Sequence, residues 1–506
     1  MYRIHQIKLG LDEEKRSIPY KIKKKLHLPG LAITDWKIVR ESIDARHKEN
    51  IKLVYTVDFA CRETIRCAQA PDLTYVLPEP VRENARQPVV TGFGPCGMFC
   101  ALILAEAGMR PIVLERGQAV EQRTRDVAAF RAHGRLDPES NFQFGEGGAG
   151  TFSDGKLTTG IKDKRICKVL EEFAEAGGGE DILYKQHPHL GTDVLCQVVR
   201  NIRTKILSLG GEIRFGTRLD GLKTAVSSQI DTSSSRIEGA VLSDGSLLRT
   251  DDLILAMGHS ARDTFRMLWE AGIPMEQKPF SIGVRIVHPQ HMINRVQYGD
   301  PTLAERLGAA EYKLSWHCSS GRGVYTFCMC PGGEVVVTSS APGEVVTNGM
   351  SNRRRDGRFA NSALLVDVRV SDFGDDHPLA GIAFQQKYEH LAYEAGGGDY
   401  TAPETTWGMF ASSKVAQCLP PFAVEAICEA MPHLGKKLKG FDDPRARMIG
   451  VETRSSSPVR LLRDAHLMAP VLGLYPGGEG AGYAGGIVSA AVDGIRIAEA
   501  ILKREA

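Results

Sequence analysis

The run Val89-Val90-Thr91-Gly92-Phe93-Gly94-Pro95-Cys96-Gly97-Met98 constrains this chain more than any other stretch. An apolar β-type run leads into G-x-G-x-x-G, and Met98 to Gly108 then carries apolar side chains at helical spacing. A second apolar strand, Ile112-Val113-Leu114, ends on the acidic Glu115. Strand, helix, second strand and acid in this register predict a βαβ unit that holds a dinucleotide. Gly92 permits the tight turn, Gly94 lets backbone approach a pyrophosphate, and Gly97 lets the helix lie close on the strand. The helix N-terminus offers unbonded N–H groups and the positive end of its dipole to phosphates. Glu115 stands where a carboxylate accepts hydrogen bonds from ribose hydroxyls.

A chain of 506 residues exceeds a single hydrophobic core, so two or three domains are expected. Its net charge of +2 points to neither nucleic acid nor an acidic membrane surface. No run approaches the roughly 18 apolar residues of a membrane span, and Met1-Tyr2-Arg3-Ile4-His5 does not open a signal peptide. Eleven cysteines without a C-x-x-C pair fit a reducing compartment, so a cytoplasmic protein is expected.

Residues 1–80 carry their own pattern. Tyr2 to Leu9, Ile33 to Val39 and Ile51 to Phe59 read as strands, and Tyr20 to Leu26 as a short basic helix with Lys21 to Lys25 on a solvated face. This is enough for a small α+β module. Pro78, Pro80 and Arg82-Glu83-Asn84 read as a linker. The stretch from Gln118 to Asn141 is polar throughout. It precedes Phe144-Gly145-Glu146-Gly147-Gly148-Ala149-Gly150-Thr151-Phe152, a glycine-rich loop whose backbone could approach a ligand and whose phenylalanines would anchor it.

Asp193 to Leu209 has helical spacing and is stopped by Gly210-Gly211. Ile213 to Phe215, Gly239 to Leu242 and the apolar run Leu253 to Gly258 then read as short strands, with a turn at Ser243-Asp244-Gly245. From Ala261 to about Gly450 the pattern becomes mixed. Strands are expected at Ser281 to Val287, Val324 to Met329, Glu334 to Ser339 and Ala363 to Val370, with helices near Leu379 to Glu394 and Ala423 to Ala430. The C-terminus returns to phosphate-scale chemistry. Leu472 to Pro476 leads into Gly477-Gly478-Glu479-Gly480 and Gly485-Gly486-Ile487, followed by a small-residue helix from Val488 to Leu502. Two such sites at opposite ends of the chain suggest one extended ligand touched by both.

These residues resemble the glutathione-reductase-like FAD superfamily in three places: G-x-G-P-x-G with Glu115, the strand ending Ala256-Met257-Gly258, and Gly478-Glu479-Gly480 with Gly485-Gly486. More closely, Phe144 to Leu157, Phe327-Cys328-Met329-Cys330-Pro331-Gly332-Gly333, Thr347 to Ser351, Tyr475 to Ile487 and the N-terminal Glu41 to Arg46 resemble the bacterial FAD-dependent dehydrogenase family, often called NAD(FAD)-utilising dehydrogenases. The resemblance spans essentially the whole chain. It implies an α/β fold: a discontinuous glutathione-reductase-like FAD-binding Rossmann domain (81–260 and 450–506), an inserted mixed α+β substrate domain (261–449) and the small N-terminal module (1–80).

Carried over residue by residue, the resemblance implies that Gly92, Gly94, Pro95, Cys96 and Gly97 wrap the FAD pyrophosphate. It sets Glu115 on the adenosine ribose and Arg116 beside the adenine half. Gly147, Gly148, Ala149, Gly150 and Thr151 would run along the pyrophosphate and isoalloxazine. Leu219, following the strand from Ile213, would offer backbone to adenine, and Met257 and Gly258 close the middle strand beside the cofactor. Glu479, with Gly480, matches the ribityl-contacting acid, more usually Asp. Gly485, Gly486 and Ile487 would bring N–H groups and a helix dipole to the flavin's pyrimidine edge.

The expected activity is hydride transfer through flavin to or from an unidentified small organic molecule. A second βαβ fingerprint for nicotinamide is absent from the sequence. Either NAD(P)H binds transiently without its own domain, or it is not the donor. The other function class is an FAD-binding protein with a different role, such as RNA modification, which the near-neutral charge disfavours. No catalytic acid or base stands out. Arg454 or Arg460 could clamp a substrate carboxylate. His187 and His189 lack clustered cysteine or carboxylate partners, so no metal site is expected. In a regular strand Cys328 and Cys330 would share one face about 7 Å apart. That strains a disulfide, so they read as buried strand cysteines.

Overall fold

The apolar runs beside the glycine fingerprint pair with one another and with the two ends of the chain. The computed structural model describes residues 1–81, 86–226 and 235–504, so the linker reading at Arg82, Glu83 and Asn84 lies outside the described residues. Five short strands form a parallel sheet in the order Leu474–Pro476, Leu253–Leu255, Val89–Thr91, Ile112–Leu114, Glu212–Arg214. All but the last are fully buried, which is why they read as unbroken apolar runs instead of alternating ones. A helix, Pro95–Glu106, follows the fingerprint and is buried from Cys96 to Ala105.

The C-terminal helix Ile487–Lys503 packs along that fingerprint helix. Glycine makes the approach possible: a Cβ on Gly494 would lie 2.1 Å from the Cys96 carbonyl oxygen. An antiparallel unit of Leu219–Val226, Ser235–Leu242 and Leu247–Arg249 is joined by Val471–Leu472, which runs parallel to Ser235 and Arg236. The Ser243-Asp244-Gly245 turn links the second and third of these strands, with Gly245 at φ 81°.

A separate six-stranded antiparallel sheet takes the order Ser315–His317, Gly323–Cys330, Phe359–Val368, Phe280–Pro289, Arg447–Glu452, Glu404–Thr406. Strand alternation divides its faces. Ile282, Val284, Ile286, Leu364 and Val366 join the core beneath the helix Pro421–Lys437. The opposite face carries Arg285, which is wholly buried beside Asn361 and Glu452. At the N-terminus Tyr2–Gly10, Lys52–Cys61 and Ile33–Asp44 form a three-stranded sheet, with helix Ile18–Leu26 packed on it through Ile18 and Ile22.

Several elements depart from the sequence expectation. The polar stretch Gln118 to Asn141 contains the helix Val120–His133, whose buried stripe of Val120, Val127 and Phe130 also includes the fully buried Arg123. A charged residue on the inward face breaks the apolar period that would have announced the helix. Leu219 opens its own strand instead of trailing the one before it. The middle strand ends at Leu255, so Met257 and Gly258 lie in the loop beyond it. The helices Arg165–Phe173, Arg262–Glu270 and Gln290–Tyr298 and the strand Arg447–Glu452 carried no sequence signal strong enough to name them.

The Gly494 contact yields a direct expectation. Gly494→Ala should lower stability by roughly 1–3 kcal/mol through overpacking of the two helices, read as a lower denaturant midpoint, whereas Gly485→Ala, whose Cβ would meet nothing within 4 Å, should not.

Candidate functional site

Three stretches far apart in sequence meet at the head of the parallel sheet. Gly92 turns at φ 98°, and a Cβ there would lie 2.7 Å from the Ala256 carbonyl oxygen. A Cβ on Gly97 would lie 1.9 Å from the Gly92 carbonyl oxygen, so the fingerprint helix rests directly on its own turn. The glycine loop is fastened to that turn: Gly147 N–H donates to the Phe93 carbonyl at 2.8 Å. A Cβ on Gly148 would lie 3.1 Å from Gly94 Cα. Ile487 then closes on Gly150, whose Cβ would meet the Ile487 side chain at 3.3 Å. Pro95, Met98, Gly147, Gly150, Thr151 and Ile487, with the apolar Phe173, Leu195 and Val199 beneath them, line one narrow apolar crevice where the three stretches meet.

Two helix N-termini open at this crevice, those of Pro95–Glu106 and Ile487–Lys503, and neither has a side-chain cap. Their first N–H groups are therefore available to an anion. Gly485 and Gly486 are exposed, and a side chain at either would meet nothing within 4 Å, so this edge is open. Ala149 is exposed on the loop, while Thr151 is buried with its hydroxyl donating to the Glu146 carbonyl at 3.0 Å.

Arg123 shapes the loop. Its guanidinium donates to five backbone carbonyls, those of Asn141, Phe142, Gly145, Glu146 and Gly148. Complete burial pushes its pKa down to about 10, against the pull of Glu115 and Glu146. Sequence reasoning missed this residue, because an arginine inside a polar stretch carries no mark of burial.

Glu115 is also buried, and its carboxylate accepts from Phe93 N–H at 2.8 Å, Gly117 N–H at 2.9 Å and Gly145 N–H at 2.9 Å. It clasps the fingerprint turn and the glycine loop together, leaving about one lone-pair site for any further donor. Arg116 reaches Glu139 at 2.9 Å and Asp263 at 2.9 Å and lies over the Phe144 ring. Cys96 points its side chain at the C-terminal loop, where a Cβ on Gly478 would lie 2.7 Å from Cys96 Cβ, so only its backbone faces the crevice. Leu219 is buried in strand pairing with Leu242.

Met257 and Gly258 lie against Gly480, whose Cβ would sit 1.9 Å from the Met257 carbonyl oxygen. Glu479 is half-buried and pairs with His259 Nδ1 at 3.3 Å. Asp493 supports this loop from the C-terminal helix, accepting from Gly478 N–H at 2.8 Å and from Arg463 at 2.7 Å. His259, Asp493 and Arg463 were not singled out in the sequence; only the position of His259, directly after Met257-Gly258, could have drawn notice.

Arg454 does not stand free to clamp a substrate. It and Arg262 both bind the fully buried Glu389, at 2.7 Å and 2.8 Å, and both reach Glu344. Burial opposes the Glu389 charge, but the two guanidinium groups hold its pKa well below the ordinary carboxylate range. This network ties the segment after the parallel sheet to the antiparallel sheet. Arg460 is part-exposed and pairs with Glu276 at 3.2 Å. Among the described residues no cluster of three metal-ligating side chains occurs, and no helix is long and apolar enough to cross a membrane.

A family profile described as "FAD-dependent protein, C-terminal domain-like" matches residues 279–416 and 408–455. All six strands of the antiparallel sheet fall within that span. A profile described as a domain of unknown function matches residues 1–60. A protein of Clostridium beijerinckii (strain ATCC 51743 / NCIMB 8052), itself named only as uncharacterized, is 44% identical over 534 residues, covering 99% of this chain and 98% of its own. Among solved structures, glycine oxidase from Bacillus cereus ATCC 14579 is 11% identical at a TM-score of 0.32, covering 83% of this chain and 96% of that one. L-proline dehydrogenase from P. horikoshii is 14% identical at a TM-score of 0.34, covering 84% and 94%.

Two outcomes follow from the buried charges. Arg123→Met should leave the loop carbonyls without donors, cost about 3–5 kcal/mol, and expose residues 141–152 to limited proteolysis in the otherwise folded protein. Glu452 is fully buried, and desolvation pushes its pKa up to about 7 despite Arg285. The folded state therefore holds a proton that the unfolded chain releases, so this contribution to stability is complete below the ordinary value of 4.5 and is lost as pH rises through about 7. Denaturation midpoints should fall across that window with a slope of up to about 1.4 kcal/mol per pH unit. Glu452→Gln, which cannot ionise, should remove that slope.

Proposed function

The chain belongs to one family with the Clostridium beijerinckii protein and carries the FAD-dependent C-terminal region, and from that premise we propose an FAD-dependent oxidoreductase acting on a small organic molecule. The observation that carries this reading is the convergence of two uncapped helix N-termini on the glycine loop of residues 147–151. Its chemistry suits a pyrophosphate and an extended cofactor: main-chain donors, no side chain at Gly94, Gly148, Gly485 or Gly486, and a positive dipole end on each side.

In this reading Gly92, Gly94, Pro95, Cys96 and Gly97 hold the pyrophosphate through backbone, with Gly147 to Thr151 along its other flank. Glu115 orients the turn and offers its remaining lone pair to the ribose, and Arg116 stays beside the adenine half. Leu219 provides backbone to adenine. Glu479 serves the ribityl chain, positioned by His259, with Met257, Gly258 and Gly480 as its floor. Gly485, Gly486 and Ile487 face the pyrimidine edge, where the helix dipole favours negative charge. Bound flavin supplies hydride and electron transfer; the protein supplies position, exclusion of water and electrostatics. NAD(P)H acts, in this reading, as a transient co-substrate without a domain of its own, and the protein works in the cytoplasm.

Purified protein should show a flavin absorption spectrum, or take FAD up when it is supplied. Anaerobic bleaching by NADH, NADPH or a member of a metabolite panel then identifies the reductant. A protein that neither retains nor binds FAD would sink the proposal. Glu115→Ala should weaken FAD binding by about 1–3 kcal/mol and lower the stability of the cofactor-free protein as well; unchanged FAD affinity would remove Glu115 from the ribose.

A further inference from the structure

The strand Gly323–Cys330 is not regular at its end. Its pairing with Phe359–Val368 slips between Phe327 and Cys330, and Cys328 sits at φ 42°, in the left-handed region that a non-glycine residue rarely enters. The regular rise that would hold the two cysteine side chains about 7 Å apart on one face is therefore interrupted at this point. The chain folds back there so that the Cys330 thiol donates to the carbonyl oxygen of Cys328 at 3.3 Å. That carbonyl is fixed by Arg285 Nη1 at 2.9 Å.

The surroundings are built around these sulfurs. A Cβ on Gly349 would lie 2.9 Å from Cys330 Sγ and 2.5 Å from Arg285 Nη1, so only glycine lets that strand close on the pair. The Lys156 Nζ is buried without a hydrogen-bond partner among the described residues, 3.7 Å from Asp154, in electrostatic reach of both thiols and of Arg355. Asp154 is itself committed to Arg355 and Ser351. The charged and titratable groups facing the pair are thus Lys156 and Asp154 from the loop, Arg285 and Glu452 from the sheet, the buried Tyr312, and Arg355 behind Asp154.

We propose that Cys328 and Cys330 form a peroxide-reactive dithiol, with Cys328 the nucleophile, Lys156 its counter-charge and Cys330 the resolving thiol. Cys328 lies well below the ordinary thiol range, first through the neighbouring Cys330 thiol and then because Lys156 and Arg285 favour the anion, while Cys330 is pushed up by Cys328 and by burial. The Cys328 thiolate attacks one oxygen of a hydroperoxide, the O–O bond breaks, and hydroxide leaves with a sulfenic acid formed at sulfur. The Cys330 thiol attacks that sulfur, its proton departs with the displaced hydroxide as water, and a disulfide closes. Two thiols and one hydrogen peroxide thus give one disulfide and two waters. The sequence reading of buried strand cysteines holds for their place in the strand and for the burial of Cys330, but it assumed a regular strand, which this strand is not at Cys328. The chemistry uses only this chain and hydrogen peroxide, and stands apart from any bound flavin.

The test uses the full-length protein. Iodoacetamide at neutral pH should alkylate Cys328 roughly tenfold faster than the half-buried Cys61 and Cys167, and the Lys156→Met protein should lose most of that advantage. Equimolar hydrogen peroxide should leave the tryptic peptide of residues 323–353 lighter by two hydrogens, unalkylated, and restored by dithiothreitol. In Cys330→Ser the same treatment should yield a dimedone adduct at Cys328. Alkylation of wild-type Cys328 no faster than Cys61 and Cys167 overturns the proposal without reference to any variant's folding. So does peroxide oxidation that passes to sulfonic acid or falls on other cysteines first.

Discussion

The contact on which the rest of this molecule depends is between two backbones. Gly494 in the C-terminal helix lies so close to the fingerprint helix that a single Cβ would collide with the Cys96 carbonyl. Helices that approach this closely cannot slide or rotate past one another, so the start of one fixes the start of the other. Both starts open on the same crevice, and the glycine loop lies across them. One small residue in the last helix therefore sets the geometry in which a long ligand could be held from both sides.

Buried charge does the remaining positioning. Arg123, Glu115, Glu389 and Arg285 are all buried, and each satisfies its hydrogen bonds within the protein. Such groups return little net stability, because desolvation offsets most of the attraction. What they provide is definition. Arg123 gives an irregular loop a single shape by binding its carbonyls, a task that a helix or sheet ladder performs elsewhere. The Glu389 network does the same between the two sheets, where an apolar contact would tolerate slippage.

The fold was legible where physics demands a restricted residue. Gly92 and Gly97 had to be glycine, and the strands Val89–Thr91 and Leu253–Leu255 had to be apolar throughout, so the parallel sheet and the meeting of distant glycine stretches could be read in advance. Illegible were residues whose role contradicts their average behaviour. Arg123 and Asp493 look like surface charges. Arg454 looked like a free cation until its partner Glu389, remote in sequence, was brought beside it. Cys328 and Cys330 do lie in a strand, but its irregularity there was hidden for a third reason: a bulge is a property of strand register, which depends on a partner strand that no local pattern reveals.

The placement of Leu474–Pro476 at one edge of the parallel sheet has a consequence in time as well as in space. A ribosome delivers the fingerprint helix hundreds of residues before the strand and helix that cover it. Until residues 474–503 emerge, the apolar surface of Pro95–Glu106 has no permanent neighbour on that side, while the antiparallel sheet between 280 and 452 can already settle around its own core. The nascent chain thus completes its middle before its beginning, and its dinucleotide-type crevice comes into being only once residues 474–503 have emerged.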